Sequence, residues 1–320
     1  MKAESYVRVL QTSQVGLAVP LNRYVNFVVN DRDTVRRAVT GNRIAFVGED
    51  LHFPGEVRFG AIRRLTDGGE NAEGYFSWGG DRLVYQATFG EMDCDQVFAL
   101  DLLSGSRTLV STGLGRCTCA FWMPKDEGIL FASTHGGNPK CPPPPDFSKG
   151  YIWKIYPDYD LWIRNLDNQE LTPLAHAPGY DAEAVVSPDG KWIVFTSMRS
   201  GDLDIWIMKP DGSGRVQVDL GADKDIYLAR VNWSPDAQTL YVQRQNRAQT
   251  RIDLLKVDPA TGKSQLLFSE EQPRFTNLSG NFRALRDGSL LWSSERTGFN
   301  HLYRWKAGKW TQLTSGDWVV

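Results

Sequence analysis

The sequence predicts an all-β protein built from repeated four-stranded units. Two observations carry that expectation: one strand-and-turn pattern recurs along the chain, and the composition favours strands and tight turns. There are 30 Gly, 16 Pro and 11 Trp, with 12% aromatic residues, among 320 positions. Aromatic side chains suit the pleated surface of a strand, and Gly and Pro supply the dihedral angles of turns. Apolar residues make up 41% and charged residues 23%, an ordinary globular balance. A chain of this length buries a core without staples. No apolar run approaches the ~20 residues that span a bilayer, so no membrane insertion is expected.

The clearest unit runs from Ser187 to Val218. Ser187-Pro188-Asp189-Gly190 ends one strand and turns into Lys191–Ser197, a second strand. A turn over Arg199–Asp202 leads to Leu203–Met208, and Asp211-Gly212-Ser213-Gly214 leads to Arg215–Val218. Pro presets φ in such turns and Gly takes the positive φ that other residues resist. An earlier copy spans Glu73–Thr112, with Trp78-Gly79-Gly80-Asp81 at its first turn. Another begins near Cys117 and turns at Met123-Pro124-Lys125-Asp126. Later copies turn at Ser234-Pro235-Asp236 and Arg286-Asp287-Gly288.

Aligned on that turn, Glu183 is the counterpart of Glu73, Cys119, Arg230 and Asn281, at successive spacings of 46, 64, 47 and 51 residues. The long spacing holds an insertion between Thr134 and Gly150 with the run Cys141-Pro142-Pro143-Pro144-Pro145-Asp146. A period of about 45 residues with four strands per unit is the signature of β-propeller blades. Blades are expected over about 69–114, 115–178, 179–221, 222–272 and 273–316. A sixth, composite blade from 41–68 plus 317–320 closes the ring and removes exposed sheet edges. Residues 1–40, with strand-like Tyr24–Val29, form an arm or the extra blade of a seven-bladed alternative. The propeller proper is 41–320, and a monomer is expected.

These residues resemble known families. Ser187–Val218 resembles the repeat of TolB-type β-propellers. From Gly69 to Leu220 the likeness is to a TolB-related bacterial family, through Gly69–Glu73, Cys117–Cys119, Phe131–His135, Cys141–Asp146 and Gly179–Glu183. That resemblance implies a periplasmic or exported protein. Met1–Leu21 has no signal-peptide core, so a cytoplasmic location is the alternative. From Asp223 onward the chain resembles the N-terminal propeller of dipeptidyl peptidase IV-type serine peptidases, through Asp225–Trp233, Gln243–Arg247 and Trp292–Tyr303. The change near 220–223 reads as a junction in an engineered or recombined chimera, with one divergent propeller as the alternative. In the peptidase family the propeller precedes an α/β-hydrolase domain. This chain ends at Val320 and contains no G-x-S-x-G nucleophile elbow.

In a propeller the first strand of each blade lines the central channel. Glu73, Cys119, Glu183, Arg230 and Asn281 are therefore expected at the starts of those strands, ringing one mouth as a site for a protein or a small polar or cationic ligand. The plainer alternative is a water-filled channel lined by satisfied polar groups. A second constellation is Cys117, Cys119, His135 and Cys141, a weak Zn²⁺ candidate, because C-x-C is not the spacing of a zinc knuckle. Free thiols, or one disulfide among the four cysteines, are the other readings. Asp158/Asp160, Asp202/Asp204, Asp93/Asp95, Asp253 and Asn300 are expected to cap turns, with Ca²⁺ as the alternative. Trp153, Tyr156, Tyr159 and Trp162 either stack a sugar or pack between blades.

The net charge is −2, and residues 221–320 carry only 14 Lys/Arg against 10 Asp/Glu, so no nucleic-acid partner is expected. The reading is a non-catalytic binding or protein-interaction scaffold of TolB-like type, with no cofactor. Its rivals are the propeller fragment of a dipeptidyl peptidase IV-like enzyme, inactive alone, and a lyase or hydrolase acting in the channel.

Overall fold

The computed structural model describes residues 63–148, 150 and 154–320, with Gly55 and the backbone of three short strands nearer the N-terminus. Strands β1 (Ser5–Arg8) and β2 (Ala18–Leu21) pair with each other, and β3 (Val28–Val29) pairs with β4 (Arg63–Arg64), both antiparallel. Most of the expected closing blade, 41–62, lies outside the described residues apart from Gly55. At the other end, Val320 donates its N–H to the Asn300 carbonyl, 2.9 Å, so the last residues lie against residue 300.

Five four-stranded antiparallel meanders follow. The first is β5 (Glu70–Phe76), β6 (Arg82–Thr88), β7 (Gln96–Asp101) and β8 (Arg107–Leu109). The second is β9 (Cys117–Trp122), β10 (Gly128–Ser133), β11 (Asp160–Asn165) and β12 (Leu171–Ala175). The third is β13 (Asp181–Val186), β14 (Ile193–Ser197), β15 (Asp204–Met208) and β16 (Val216–Gln217). The fourth is β17 (Ile226–Trp233), β18 (Leu240–Asn246), β19 (Arg251–Val257) and β20 (Ser264–Glu271). The fifth is β21 (Arg283–Ala284), β22 (Leu290–Ser294), β23 (His301–Lys306) and β24 (Lys309–Gln312). One 3-10 turn, Pro124–Asp126, interrupts the strands.

The Pro-Asp-Gly grammar forms for a visible reason. Ser187 Oγ donates to Asp189 Oδ1 at 2.7 Å and accepts the Trp192 N–H at 3.0 Å, while Gly190 takes φ 72°. The fourth sheet repeats this with Ser234 and Asp236, but Ala237 holds the left-handed position at φ 59°. Such a conformation costs an L-residue roughly 1–2 kcal/mol, which is why Gly dominates there.

The chain divides into two compact units, and the division runs through the third sheet. Unit 1 comprises 1–186, 193–203 and 210–212, and unit 2 comprises 187–192, 204–209 and 213–320. In unit 1 the strand period of two puts Leu83, Tyr85 and Ala87 on one face of β6, packed with Phe98 and Leu100. Val84 on the other face packs with Val97, Cys117, Trp122, Ile129 and Phe131, joining the first and second sheets. In unit 2 the core is more aromatic. Tyr241, Leu254, Phe282 and Trp292 are buried, and Phe268 meets Trp292 at 5.1 Å and Trp310 at 4.7 Å, both edge-on.

Candidate functional site

The aligned residues hold a particular backbone position. Glu73, Cys119 and Glu183 have φ of 51°, 52° and 58°, all left-handed. At each, the inner strand slips register against its neighbour: between Ala72 and Tyr75, opposite Leu130–Ala132, and between Ala182 and Val185. These are β-bulges, and a bulge re-aims the side chain it carries. They lie inside their strands, third or fourth from the N-terminal end, rather than at the starts, because pairing continues on both sides of the slip. The residues flanking each bulge are small: Ala72 and Gly74, Thr118 and Ala120, Ala182 and Ala184. That repeated small–polar–small triplet is a signal the turn alignment alone did not use. Strained non-Gly residues recurring at one equivalent position point to function.

The expectation differs for the other two members. Arg230 sits at a register slip in β17, between Leu228 and Arg230, without left-handed backbone. Its following residue is the β-branched Val231, which disfavours the tight bulge. Asn281 lies in the turn before β21 and is not in a strand. Both belong to unit 2, whereas the other three belong to unit 1.

In unit 1 the three bulge residues interact. Glu73 hydrogen-bonds with the Cys119 thiol and feels the charge of Glu183. Burial, opposed in part by the hydrogen bonds from Cys119 and reinforced by Glu183 and Asp95, raises the Glu73 carboxyl above the ordinary range. Burial, with Glu73 and Glu183 nearby, pushes the Cys119 thiol well up, so it stays protonated and acts as a donor. Glu183 is exposed and accepts the Thr196 hydroxyl at 2.8 Å and the Tyr180 hydroxyl at 3.5 Å. Gln86 Oε1 accepts the Thr118 hydroxyl at 2.7 Å and the Cys119 N–H at 3.3 Å, fixing the second bulge from the neighbouring sheet. Gln86, Thr196 and Tyr180 were not singled out in the sequence, since the alignment picked one residue per sheet, whereas Gln86 and Thr196 sit on the second strands and Tyr180 just before β13.

The zinc constellation does not form. Cys141 is bonded to Cys94 in a disulfide, Cα–Cα 5.7 Å. Cys117 is buried, donates to Ser133 Oγ at 3.2 Å, and is pushed up to about 11 by burial. His135 turns Nδ1 to Ser133 Oγ at 2.8 Å and stacks on Trp162 at 4.3 Å. Among the described residues no three His, Cys, Asp or Glu side chains converge as a metal site needs.

The aspartates also depart from expectation. Asp202 accepts a turn N–H from Leu203 at 2.8 Å. Asp95, Asp160, Asp204 and Asp253 bond side chains: Thr88 and Arg116, His176 at 2.6 Å, Gln217 at 2.8 Å, and an Arg244–Arg251–Ser269 cluster respectively. Placed near or within the third strand, they meet side chains of adjacent strands, and Asp160 accepts the Ala177 N–H as well. Tyr156 and Tyr159 are buried, so they pack rather than present a stacking platform, and Trp153 lies outside the described residues.

Comparison with known proteins fits the sheets. Residues 200–320 match the family model described as dipeptidyl peptidase IV (DPP IV) N-terminal region. An uncharacterized protein of Agrobacterium fabrum is 38% identical over 55 residues, which is 17% of this chain and 19% of that protein. Dipeptidyl peptidase 4 from Porphyromonas gingivalis superposes with a TM-score of 0.58 at 14% identity, over 78% of this chain and 40% of its own. Oligogalacturonate lyase from Vibrio parahaemolyticus superposes at 0.54 and 14% identity, over 79% and 68%. TolB from Acinetobacter baumannii superposes at 0.47 and 15% identity, over 77% and 54%. The chain thus spans less than half of the peptidase and about a fifth of the curated relative. With four-stranded meanders and the peptidase and lyase superpositions, the fold is a β-propeller whose segment 200–320 is similar to the N-terminal region of dipeptidyl peptidase IV.

Proposed function

We propose that this protein is a non-catalytic β-propeller binding scaffold whose ligand site is the row of inner-strand bulges carrying Glu73, Cys119 and Glu183. The observation that supports it is the convergence of three strained, equivalent positions on two carboxyl groups and a donor thiol. The thiol is held protonated and is no nucleophile, and the chain contains no G-x-S-x-G turn. Two carboxyl groups with fixed hydroxyl neighbours suit a polar or cationic ligand. A six-bladed monomer with the composite closing blade remains our reading of the ring, and an exported or periplasmic setting fits the Cys94–Cys141 disulfide, since such bonds persist in oxidising compartments.

The test is a thermal-shift screen of neutral sugars, amino acids, amines and carboxylates against the wild type and the Glu73→Gln/Glu183→Gln double variant. The reading holds if a compound that raises the wild-type midpoint leaves the variant unmoved. It fails if no compound separates the two proteins.

A second reading is favoured by the match over 200–320: the chain is the propeller part of a longer dipeptidyl peptidase IV-like enzyme. An immunoblot of native cells decides. A species near 36.0 kDa supports the scaffold, and a much longer polypeptide supports the enzyme.

A further inference from the structure

The first sheet carries an open cavity that shares no residue with the bulge row. Its volume is about 640 Å³, and it is lined chiefly by Asp67, Gly69, Phe89, Phe98, Arg107 and Leu109, all in unit 1. The strand period of two puts Arg107 and Leu109 on one face of β8. Leu109 stands opposite Phe98 of β7, on the face that also carries Leu83 and Tyr85. On β6 that face is fully buried, whereas at β8 it opens and Leu109 is 43% exposed. Apolar surface therefore runs from the core out to the cavity. Gly69 is required there. A Cβ on it would stand 2.5 Å from the Thr88 carbonyl oxygen and 2.7 Å from Phe89 Cβ, so only glycine lets 67–69 close against Phe89.

One positive charge stands in this apolar setting. The Arg107 guanidinium carbon lies over the Phe89 ring, 4.6 Å from its centroid, and Phe89 in turn meets Phe98 at 5.1 Å. Arg107 pairs with no carboxylate among the described residues. Asp67, the acidic residue of the lining, is largely exposed and pairs with Arg64 at 3.5 Å.

These features select the chemistry of a ligand. A guanidinium presents its N–H donors in a planar fork that matches a carboxylate. Phe89, Phe98 and Leu109 offer hydrocarbon surface beside that fork. A cationic ligand would be repelled by Arg107. A dianion such as phosphate would find one guanidinium and would face Asp67. A neutral hydrocarbon would leave the guanidinium to water. A monoanion with an apolar body uses both features. We propose that this cavity binds a small apolar monocarboxylate, with the carboxylate on Arg107 and the hydrocarbon body against Phe89, Phe98 and Leu109. The site is additional to the bulge row and does not depend on what that row binds.

The experiment is isothermal titration calorimetry of the full chain at neutral pH with sodium hydrocinnamate. Hydrocinnamyl alcohol, which lacks the charge, and sodium acetate, which lacks the body, are the comparisons. We expect hydrocinnamate to bind about tenfold more tightly than either. Added salt weakens the acid and leaves the alcohol unchanged. Arg107→Gln lowers hydrocinnamate affinity about tenfold, to that of the alcohol. Arg107→Lys, which keeps the charge without the fork, recovers part of the loss. Leu109→Asn weakens hydrocinnamate but not acetate. Asp67→Asn, which removes a carboxylate from the lining, strengthens hydrocinnamate binding. Arg107 and Leu109 are exposed, so an unchanged thermal midpoint is expected in their variants. Equal binding of hydrocinnamate and its alcohol overturns the proposal. So does full affinity in Arg107→Gln, or no binding of hydrocinnamate at millimolar concentration. The comparison of ligands in wild type needs no variant to fold.

Discussion

The two units use one strand grammar and fasten neighbouring sheets with different chemistry. In unit 1 the ties run to backbone. Asp126 accepts the Trp78 and Gly79 N–H groups at 2.7 and 2.9 Å, Gln86 holds the Cys119 N–H, and the Cys94–Cys141 disulfide joins the β6–β7 loop to the proline-rich insertion. In unit 2 Gln243 and Gln245 also reach backbone carbonyls, at Ser279 and Thr276, but charged side-chain clusters are added, one between the fourth and fifth sheets and one within the fourth. Glu270 accepts from Trp292 at 2.8 Å, Ser294 at 2.6 Å and Arg296 at 3.2 Å, and Asp253 gathers Arg244, Arg251 and Ser269. Backbone N–H groups cannot swing away, so ties to them fix the inner strands to each other. Side-chain pairs tolerate small shifts and respond to pH. The left-handed bulges at Glu73, Cys119 and Glu183 all occur in unit 1, where Asp126 and Gln86 bind backbone N–H groups. Strained backbone positions are thus paired with fastening to backbone.

Breaking the covalent tie gives the largest effect. Cys94 and Cys141 are 47 residues apart, and closing a loop of that size is worth about 4 kcal/mol in the chain-entropy model. Cys94→Ser/Cys141→Ser should lower stability by about that much in guanidinium unfolding, and a dithiol reductant should reproduce the loss in wild type only. A loss below about 1 kcal/mol would show that the insertion is held by its other contacts, such as the Tyr156 hydroxyl on the Pro143 carbonyl at 2.9 Å.

The corresponding break in unit 2 is Asp253→Asn. The carboxylate is buried beside two guanidiniums, and removing one partner of a buried pair costs about 3 kcal/mol. Hydrogen bonds from Ser269, Arg244 and Arg251 hold the Asp253 carboxyl below its ordinary range against the opposing effect of burial. Its contribution is therefore full above the unfolded value and is lost as pH falls through the folded one. Urea midpoints of wild type and variant should converge toward acid and diverge at neutral pH. A constant gap would mean that packing, not charge, is the cause.

Asp126→Ala sharpens the backbone side of the comparison. It deletes two charge-assisted bonds to N–H groups and should cost about 2 kcal/mol, the upper range for a capping carboxylate. Asp126→Asn, which keeps one acceptor, should recover part of it. Equal losses in both would remove the argument from backbone fastening.

The smallest effect has the opposite sign. Glu73→Gln should stabilise the protein at neutral pH by about 1 kcal/mol, because a buried oxygen no longer has to ionise without a partner. The folded carboxyl is raised, so the wild type loses stability as pH climbs from the unfolded value through the folded one, and the variant does not. A variant that tracks wild type across that window would show that Glu73 is already satisfied.

Much of this architecture was legible in the sequence. Alternation such as Leu83, Tyr85 and Ala87 against Val84, punctuated by Ser-Pro-Asp-Gly, specifies strands and turns locally, so the all-β propeller followed. What depends on approach in space did not. Cys94 and Cys141 stand in loops of different sheets, and no spacing rule pairs them. Met123-Pro124-Lys125-Asp126 read as a turn, but nothing in it showed that Asp126 takes the left-handed position at φ 62° and uses its carboxylate on the preceding sheet. The row was legible as an alignment, but the left-handed bulges that set Glu73, Cys119 and Glu183 apart from Arg230 and Asn281 were not.

The bulges also carry an evolutionary consequence. At each, the flanking small residues and the pairing strand maintain the kink, while the single residue at its apex is free to differ: Glu in two sheets, Cys in a third. Substitution at one codon per sheet would then change the chemistry that the row displays while the kinks that hold it stay in place. Three positions thus become an interchangeable alphabet written on one set of meanders.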